Sequence, residues 1–254
     1  MRTIAHLFSG GTDSAYAAVL MAKTYDKIHL LTYNRHGFRN VENSKNYAEK
    51  LMNIYGKERI SHSIINIDNE FKTLSYGNYL PNLTRYGFFN LMVCGLCKLA
   101  MHWRTIIYCL DNGIKYVSDG SGREMLPDQS QNDSVIKEMR AFYKDFGIQY
   151  FTPIFDINPE EREQTLYDMG ISKTLRMKWS EKTWDLQPFC SQEYLNLLFI
   201  QYSCDERYYK IFIKHPKFLK YRDKMLSFHS SKREEIRGLI KEYISGIKEL
   251  KHLL

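Results

Sequence analysis

The chain has 254 residues, of which 44% are hydrophobic and 14% aromatic, so it can bury a substantial core and is not intrinsically disordered. Its net charge is +7, and residues 205–254 hold 13 Lys and Arg against 7 Asp and Glu, which predicts either attraction to a polyanion or a solvated helix surface. No apolar run approaches the roughly 20 residues of a membrane span, and five cysteines without an export signal favour a reducing compartment, so we expect no membrane partner and a cytoplasmic location.

Hydrophobic runs alternate with helical patterns along the first 155 residues. In chain order we predict a strand at 3–8, a helix at 13–25, a strand at 27–33, a helix at 41–56, a strand at 60–67, a polar stretch at 68–87, a helix at 88–112, a strand at 114–120, a helix at 134–147 and a strand at 148–154. This alternation predicts an α/β fold with a doubly wound, parallel, five-stranded sheet. Ligands of such sheets bind beyond the carboxyl ends of the strands.

The pattern changes after the last of these strands. Residues 159–187 are typical of a short helix with loops, and residues 191–254 of two or three basic helices that carry aromatic side chains. We therefore predict a sheet domain over 1–155 and a mainly helical region over 156–254 that packs on it and completes the active site.

A run of small and hydroxyl residues stands between the first strand and the first helix. It reads Ser9, Gly10, Gly11, Thr12, Asp13, Ser14. Backbone N–H groups and the helix dipole favour an anion there, the glycines allow close approach, and the hydroxyls can donate hydrogen bonds. Because the Asp13 carboxylate would repel a phosphate, we predict that it binds Mg²⁺ bridging two phosphates. A plain capped helix start is the alternative, and neither the Walker A nor the dinucleotide-binding pattern is present.

The motif S-G-G-x-D-S in this context resembles the signature of the PP-loop ATP pyrophosphatases, the adenine nucleotide alpha hydrolase-like group. The likeness covers about residues 1–155 and implies the HUP/PP-loop type of sheet. It implies that ATP is cleaved between its α- and β-phosphates, that a substrate oxygen is adenylated, and that pyrophosphate stays in the loop. It also implies nucleotide contacts at two strand ends, by Thr32, Tyr33 and Asn34 and by Asp119, Gly120 and Ser121, although each could be an ordinary loop.

Three cysteines come from two distant segments. Cys94 and Cys97 form a C-x-x-C motif in the long helix, and Cys190 lies in a later loop. Three thiolates could hold a 4Fe-4S cluster with one open iron that accepts sulfide. This pattern is similar to that of the iron–sulfur-dependent tRNA 2-thiocytidine and 2-thiouridine synthetases of the PP-loop group. A zinc site that includes Cys204, or unconnected buried thiols, are the alternatives.

The resemblance predicts an ATP-dependent sulfurtransferase that replaces a nucleobase carbonyl oxygen with sulfur and releases AMP and pyrophosphate. The substrate could be tRNA, which the basic C-terminal region favours, or a free metabolite, which the missing zinc fingers of the tRNA enzymes favour. A sulfur donor is required, and a homodimer is left open. The alternatives are a PP-loop ligase, an amidotransferase or a nitrile-forming 7-deazaguanine-type enzyme with structural zinc, a non-catalytic nucleotide-binding module, and a C-x-x-C redox protein.

Other polar and aromatic residues are secondary candidates. Arg35 and His36 could reach phosphates, and Lys98 would favour a thiolate at its neighbour. We expect Glu124, Asp128 and Gln129 to join Arg123 in a polar loop that faces the substrate or is merely solvated. His102 and Trp103 are interpreted as helix packing, while Trp179 and Trp184 could shield a cluster, stack on a base or pack in the core.

Overall fold

The computed structural model describes residues 1–77, 79–86, 93–123, 133–172, 188–190 and 216–247. Its strands are β1 (Thr3–Leu7), β2 (Lys27–Asn34), β3 (Phe38–Arg39), β4 (Ile60–Asn66), β5 (Tyr116–Asp119), β6 (Gln149–Phe151) and β7 (Phe189–Cys190). Its helices are α1 (Thr12–Ala22), α2 (Ser44–Tyr55), α3 (Asp68–Tyr76), α4 (Tyr79–Tyr86), α5 (Val93–Asp111), α6 (Asp133–Lys144), α7 (Pro159–Asp168) and α8 (Pro216–Gly246), with a 3-10 turn at Val41–Asn43.

The central sheet confirms the predicted fold class. Its five strands are parallel and lie in the order β4-β2-β1-β5-β6. The chain runs outward from β1 to β2 and β4, then returns to the other side of β1 for β5 and β6. In doubly wound sheets a reversal of this kind creates a crevice at the carboxyl ends of the two strands concerned, here β1 and β5, and ligands bind there.

Helices cover both faces of the sheet, because alternate side chains of each strand point to opposite sides. Ile4 of β1 packs in a core with residues of α1, α2 and α7. Its neighbour Ala5 packs in a second core with residues of α3, α5, α6 and α8. The near-continuous burial of β1 and β2 explains why their sequences are apolar on both faces.

Two features of the fold differ from the sequence prediction. The polar stretch at 68–87 contains helices α3 and α4, and α3 forms because Phe71 and Leu74 lie three residues apart and both enter the core. In addition, β3 and β7 form a small antiparallel sheet in which Phe38 is paired with Cys190. The pairing of two residues so far apart in sequence had no local signal.

The described C-terminal helices pack on the sheet domain. Helix α7 begins at Pro159, and the Asn158 side chain caps it by accepting a hydrogen bond from the Glu160 backbone N–H at 3.0 Å. Helix α8 buries Ile236, Ile240 and Ile244, which recur every four residues, in the core with α5 and α6. The boundary at 155 stays a prediction, since both helices share the cores of the sheet.

Ion pairs fix α8 against α6. Arg233 pairs with Glu138, and Arg237 Nη2 lies 2.6 Å from Asp145 Oδ2. These two basic side chains therefore serve helix docking, and they do not form the unpaired basic face that a polyanion would need. Within the part of the chain that the structure describes, no helix has the length and apolar character required to cross a bilayer.

Candidate active site

The glycine-rich loop predicted to hold phosphates joins β1 to α1 at the crevice. Gly10 has a φ of +75°, and a Cβ there would lie 2.6 Å from the Cα of Ser44. The Ser9 and Ser14 hydroxyls lie 3.0 Å apart, and Ser14 Oγ donates to the Gly11 carbonyl at 3.0 Å. The N-cap residue of α1 is Gly11, which has no side chain to cap the helix. The loop thus leads directly into a helix N-terminus, a place whose backbone N–H groups attract anions.

Asp13 in the first turn of α1 is part of an ion pair that the sequence did not reveal. Its Oδ1 lies 2.9 Å from Nη1 of Arg162 on α7. Arg162 is fully buried, whereas the Asp13 side chain is 41% exposed. The same guanidinium donates to the carbonyls of Ile154, at 3.0 Å, and Ile157. Arg162 therefore ties the loop to the chain after β6, and the Mg²⁺ role of Asp13 stays a prediction.

His6 of β1 supports the loop from beneath. Its Nε2 lies 2.9 Å from the Ser14 carbonyl, which can only accept, so Nε2 carries the proton. Nδ1 then accepts from the Ser118 hydroxyl at 2.8 Å. Burial lowers the pKa of His6 to about 4, so the ring is neutral near neutral pH. It connects the start of α1 to β5 through two hydrogen bonds.

The end of β5 meets the same turn of α1. A Cβ at Gly120 would lie 2.8 Å from the Ser14 backbone N and 2.9 Å from its Cα. Only a glycine permits this approach without a shift of one backbone segment. The segment Asp119–Gly120 is therefore next to the glycine-rich loop, and its contact with a nucleotide stays a prediction.

Asp119 is the centre of a buried polar cluster. Its carboxylate accepts from Tyr150 OH at 2.6 Å and from Ser121 Oγ at 2.8 Å, and it lies 3.5 Å from Lys98 Nζ. Burial raises the pKa of Asp119, but the Lys98 charge, the nearby His102 and the hydrogen bonds from Tyr150 and the Ser121 backbone outweigh burial and lower it below its usual value. Lys98 Nζ also donates to Ser121 Oγ at 2.8 Å. Its ammonium thus serves this cluster, rather than the neighbouring cysteine as we had expected.

Thr32 and Tyr33 are buried at the end of β2. Thr32 Oγ1 donates to the Phe8 carbonyl at 2.7 Å and lies 2.8 Å from His62 Nε2. Tyr33 OH lies 2.6 Å from Thr105 Oγ1 in the core beneath α5. Both side chains are engaged in internal hydrogen bonds. Their predicted contact with adenine would therefore involve the backbone of the strand end, and it stays a prediction.

Two of the three predicted cysteine ligands converge on one arginine. Arg35 Nε donates to Cys97 Sγ at 3.0 Å, and Arg35 Nη2 donates to Cys190 Sγ at 3.4 Å. Cys97 comes from α5 and Cys190 from β7, so residues 93 positions apart share one guanidinium. Arg35 was expected to reach phosphates, and the structure instead assigns it to the sulfurs.

The remaining cysteines differ in what the structure describes. Cys94 lies in α5 one turn before Cys97, but its side chain is outside the described part of the chain, as is Cys204. Cys109 is buried in the core, and burial raises the pKa of its thiol. Two buried thiols from separate segments that contact the same guanidinium are a donor set that fits an iron–sulfur cluster or zinc. Among the residues described, no group of three His, Cys, Asp or Glu forms a metal site.

Some of the secondary candidates lie in the described part of the chain, among them His102, Trp103 and Arg123, and others do not. His102 Nδ1 lies 2.8 Å from Tyr143 OH in the core, and Trp103 packs against that core, which agrees with a packing role for both. Arg123 pairs with Asp156 at 2.6 Å and Asp133 at 3.2 Å. The other predicted candidates, Glu124, Asp128, Gln129, Trp179 and Trp184, lie outside the described residues.

Comparison with known proteins gives distant similarity in structure. The sequence matches no family model, and no curated protein sequence matches it. The fold is similar to that of a predicted subunit of tRNA methyltransferase from Methanocaldococcus jannaschii, with 20% identity and a TM-score of 0.42 over 66% of this chain and 74% of that one. It is also similar to U34-tRNA thiolase NcsA from Methanococcus maripaludis, solved with its 4Fe-4S cluster, with 14% identity and a TM-score of 0.47 over 93% of this chain and 72% of that one.

Proposed function

We propose that this protein is an ATP-dependent sulfurtransferase of the PP-loop type that acts on a nucleobase. It would adenylate a carbonyl oxygen of the base and replace that oxygen with sulfur, releasing AMP and pyrophosphate. The proposal is carried by one observation: the glycine-rich loop and the converging thiols lie at the same edge of the sheet and are joined by a continuous series of contacts.

That series begins at the loop. The backbones of Ser14 and Gly120 are so close that a Cβ on Gly120 would lie 2.8 Å from the Ser14 N. Ser121, which follows Gly120, accepts a hydrogen bond from Lys98 at 2.8 Å. Lys98 directly follows Cys97, whose sulfur lies 3.0 Å from Arg35 Nε. A substrate in the crevice would therefore have an anion-binding loop on one side and paired sulfurs on the other. Holding both reactants at one site is what a two-step transfer requires.

In the first step the loop acts on ATP. The amides at the start of α1 would hold the β- and γ-phosphates, and Asp13 would be a ligand of Mg²⁺. The substrate carbonyl oxygen attacks the α-phosphorus, the bond to the bridging oxygen of the β-phosphate breaks, and pyrophosphate leaves with its electrons. Because the loop stabilises the charge that develops on pyrophosphate, it lowers the barrier to this step.

The second step exchanges oxygen for sulfur. A sulfur nucleophile attacks the activated carbon, the carbon–oxygen bond breaks, and AMP leaves with the former carbonyl oxygen. A 4Fe-4S cluster bound by Cys94, Cys97 and Cys190 would supply an open iron for sulfur from an external donor. Cys97 and Cys190 are themselves buried, and such a site would limit the access of water to the adenylated base.

The substrate is proposed as a nucleobase carbonyl, in tRNA or in a free metabolite. Arg233 and Arg237 are paired with acidic residues of α6 and of the loop that follows it, so they give no support to RNA binding. Anaerobic protein should be incubated with Mg²⁺, ATP and a sulfide donor, either with total tRNA or with free bases, and the products examined by mass spectrometry.

The bound metal and the reaction products are tested with the same anaerobic protein, by metal and sulfide analysis and by assays for AMP and pyrophosphate. We expect bound iron and sulfide, no stoichiometric zinc, and AMP and pyrophosphate formed together only when a substrate is present. Asp13→Ala should abolish both products while the fold remains intact. A colourless protein with one zinc ion would instead favour the ligase or amidotransferase alternative, and normal AMP formation by Asp13→Ala would contradict the metal role.

A further inference from the structure

Arg35 is an unusually placed buried cation. It directly follows β2 at the carboxyl edge of the sheet, and only 5% of its surface is exposed. Its hydrogen bonds include those from Nε to Cys97 Sγ, from Nη2 to Cys190 Sγ and from Nη1 to the His36 carbonyl at 2.7 Å. Two different nitrogens of one guanidinium therefore point at two different sulfurs.

Aromatic rings hold this guanidinium in place. Its Cζ lies 4.2 Å from the centre of the Phe71 ring and 4.7 Å from that of the Phe38 ring. Such contacts suit a planar, weakly hydrated cation and would not fix a lysine ammonium in the same way. The rings therefore set the plane of the guanidinium, and with it the directions of its N–H bonds.

The backbone next to Arg35 links it to both cysteine segments. The Phe38 N–H donates to the Arg35 carbonyl at 3.0 Å and closes a tight turn, in which Gly37 has a φ of +95°. Phe38 then pairs with Cys190 across the small antiparallel sheet. The turn thus leads directly into β3, and β3 pairs with Cys190. This pairing places Cys190 beside the arginine that also contacts Cys97.

The chemistry of these contacts favours sulfur that carries negative charge. A neutral thiol is a weak acceptor, whereas a metal-bound thiolate accepts strongly from a charged donor. Partners of this kind, outside the ligands themselves, orient metal ligands and tune the metal, and hydrogen bonds to the sulfurs help to set the reduction potential of an iron–sulfur cluster. A single arginine with two N–H···S bonds can act on two ligands at once.

We propose that Arg35 is the positioning residue of the cysteine site, which holds Cys97 and Cys190 together as thiolate ligands of a soft metal. This proposal rests on the proposed function for the identity of the metal, an iron–sulfur cluster. The placement of the two sulfurs, however, can be tested without that cluster and without substrate.

The test is anaerobic titration of the metal-free, full-length protein with Co²⁺, followed by the charge-transfer absorption that thiolate ligands give. We expect Arg35→Met to weaken Co²⁺ binding by about 10–100-fold, the usual cost of losing a partner outside the metal ligands. Arg35→Lys should recover part of this loss, because it keeps the charge but cannot donate to both sulfurs along fixed directions.

Arg59 provides a matched control. It lies at the amino end of β4, at the opposite edge of the sheet, and donates to the carbonyls of Ala22 and Tyr25 at 2.9 and 3.0 Å. Arg59→Lys should leave Co²⁺ affinity within twofold of the wild type. Should Arg35→Met misfold by circular dichroism, the comparison rests on Arg35→Lys, which should bind Co²⁺ measurably more weakly than the wild type.

Equal Co²⁺ affinity in the wild type and the folded Arg35 variants would overturn the proposal, as would a wild-type protein without the thiolate charge-transfer band. The outcome for the proposed function is separate. If Co²⁺ binding depends on Arg35 but no substrate is thiolated, the function is wrong and the positioning role stands. If thiolation occurs while Arg35 has no influence on metal affinity, the function stands and the positioning role is wrong.

Discussion

Gly10 offers the sharpest test of how the phosphate loop is built. Its φ of +75° lies in the left-handed region, and a Cβ there would meet Ser44 Cα at 2.6 Å and Ser44 Cβ at 2.9 Å. Both contacts are closer than atoms in folded proteins tolerate, and the nearer one is to backbone. Gly10→Ala should therefore push the loop away from α2 as well as strain its own backbone.

The size of the effect follows from these two sources. A left-handed alanine costs about 1–2 kcal/mol, and overpacking a tight site costs about 1–3 kcal/mol more. We expect Gly10→Ala to lower the free energy of unfolding by about 2–5 kcal/mol. Gly147→Ala is the control, because Gly147 has a φ of +70° but, among the described residues other than its chain neighbours, none has an atom within 4 Å of where its Cβ would lie. It should lose only the backbone part, about 1–2 kcal/mol.

Urea unfolding of the two variants and the wild type measures this difference directly. Because alanine reduces the entropy of the unfolded chain equally at both positions, the comparison isolates the contact with Ser44. Nucleotide binding, followed with a fluorescent ATP analogue, should weaken in Gly10→Ala and stay unchanged in Gly147→Ala. Equal stability losses in the two variants, or undiminished nucleotide binding by Gly10→Ala, would refute the described packing of the loop.

Three further predictions concern ion pairing, pH and sulfur transfer. Arg162→Met should reduce the free energy of unfolding by about 1–3 kcal/mol in urea titrations, because two carbonyls lose their buried donor. The Asp13 carboxylate adds little to this loss, because it is half-exposed and water can hydrate it. A change below about 0.5 kcal/mol would argue against the pairing. Since the pKa of His6 falls to about 4 in the folded state from about 6.5 when unfolded, the unfolded chain binds the proton first, and stability should decline as pH drops from 6.5 to 4 by up to about 3 kcal/mol. His6→Gln should make stability less dependent on pH in this range, because unfolding would take up about one proton fewer. An unchanged pH dependence would mean that the His6 ring is not buried in its neutral form. Cys190→Ala should lose sulfur transfer and bound iron while still binding ATP, whereas Cys109→Ala should retain both; normal product yield from Cys190→Ala would remove that cysteine from the site.

The fold was predictable because its signals are local. The apolar run of β1, the glycine turn and the alanine-rich α1 follow one another within 22 residues, and each pattern matches its element closely. The parallel orientation of the strands also followed, because helices between strands require crossover connections, whereas the order of the strands was not predicted. The helix over 68–76 was missed because its polar surface obscured the two buried positions, Phe71 and Leu74.

The side-chain contacts within the site were not predictable in the same way. Arg162 reaches Asp13 across 149 positions, and Arg35 reaches Cys190 across 155. Neither arginine stands in a motif, and a lone arginine in a sequence is usually exposed. The same holds for Lys98, whose neighbour Cys97 suggested a thiolate partner, whereas β5 brings Asp119 and Ser121 within its reach. The sequence showed which residues were chemically capable of a role, but only the tertiary structure showed their partners.

The most direct test of the account is a crystal structure of the protein with Mg²⁺ and an ATP analogue that resists cleavage between its α- and β-phosphates. We expect the β- and γ-phosphates to lie against the backbone amides of the loop from Ser9 to Ser14, with the metal near Asp13 and the α-phosphate facing the crevice towards Cys97. Phosphates bound elsewhere, or a loop closed off from the nucleotide, would contradict the proposal that this turn drives adenylation.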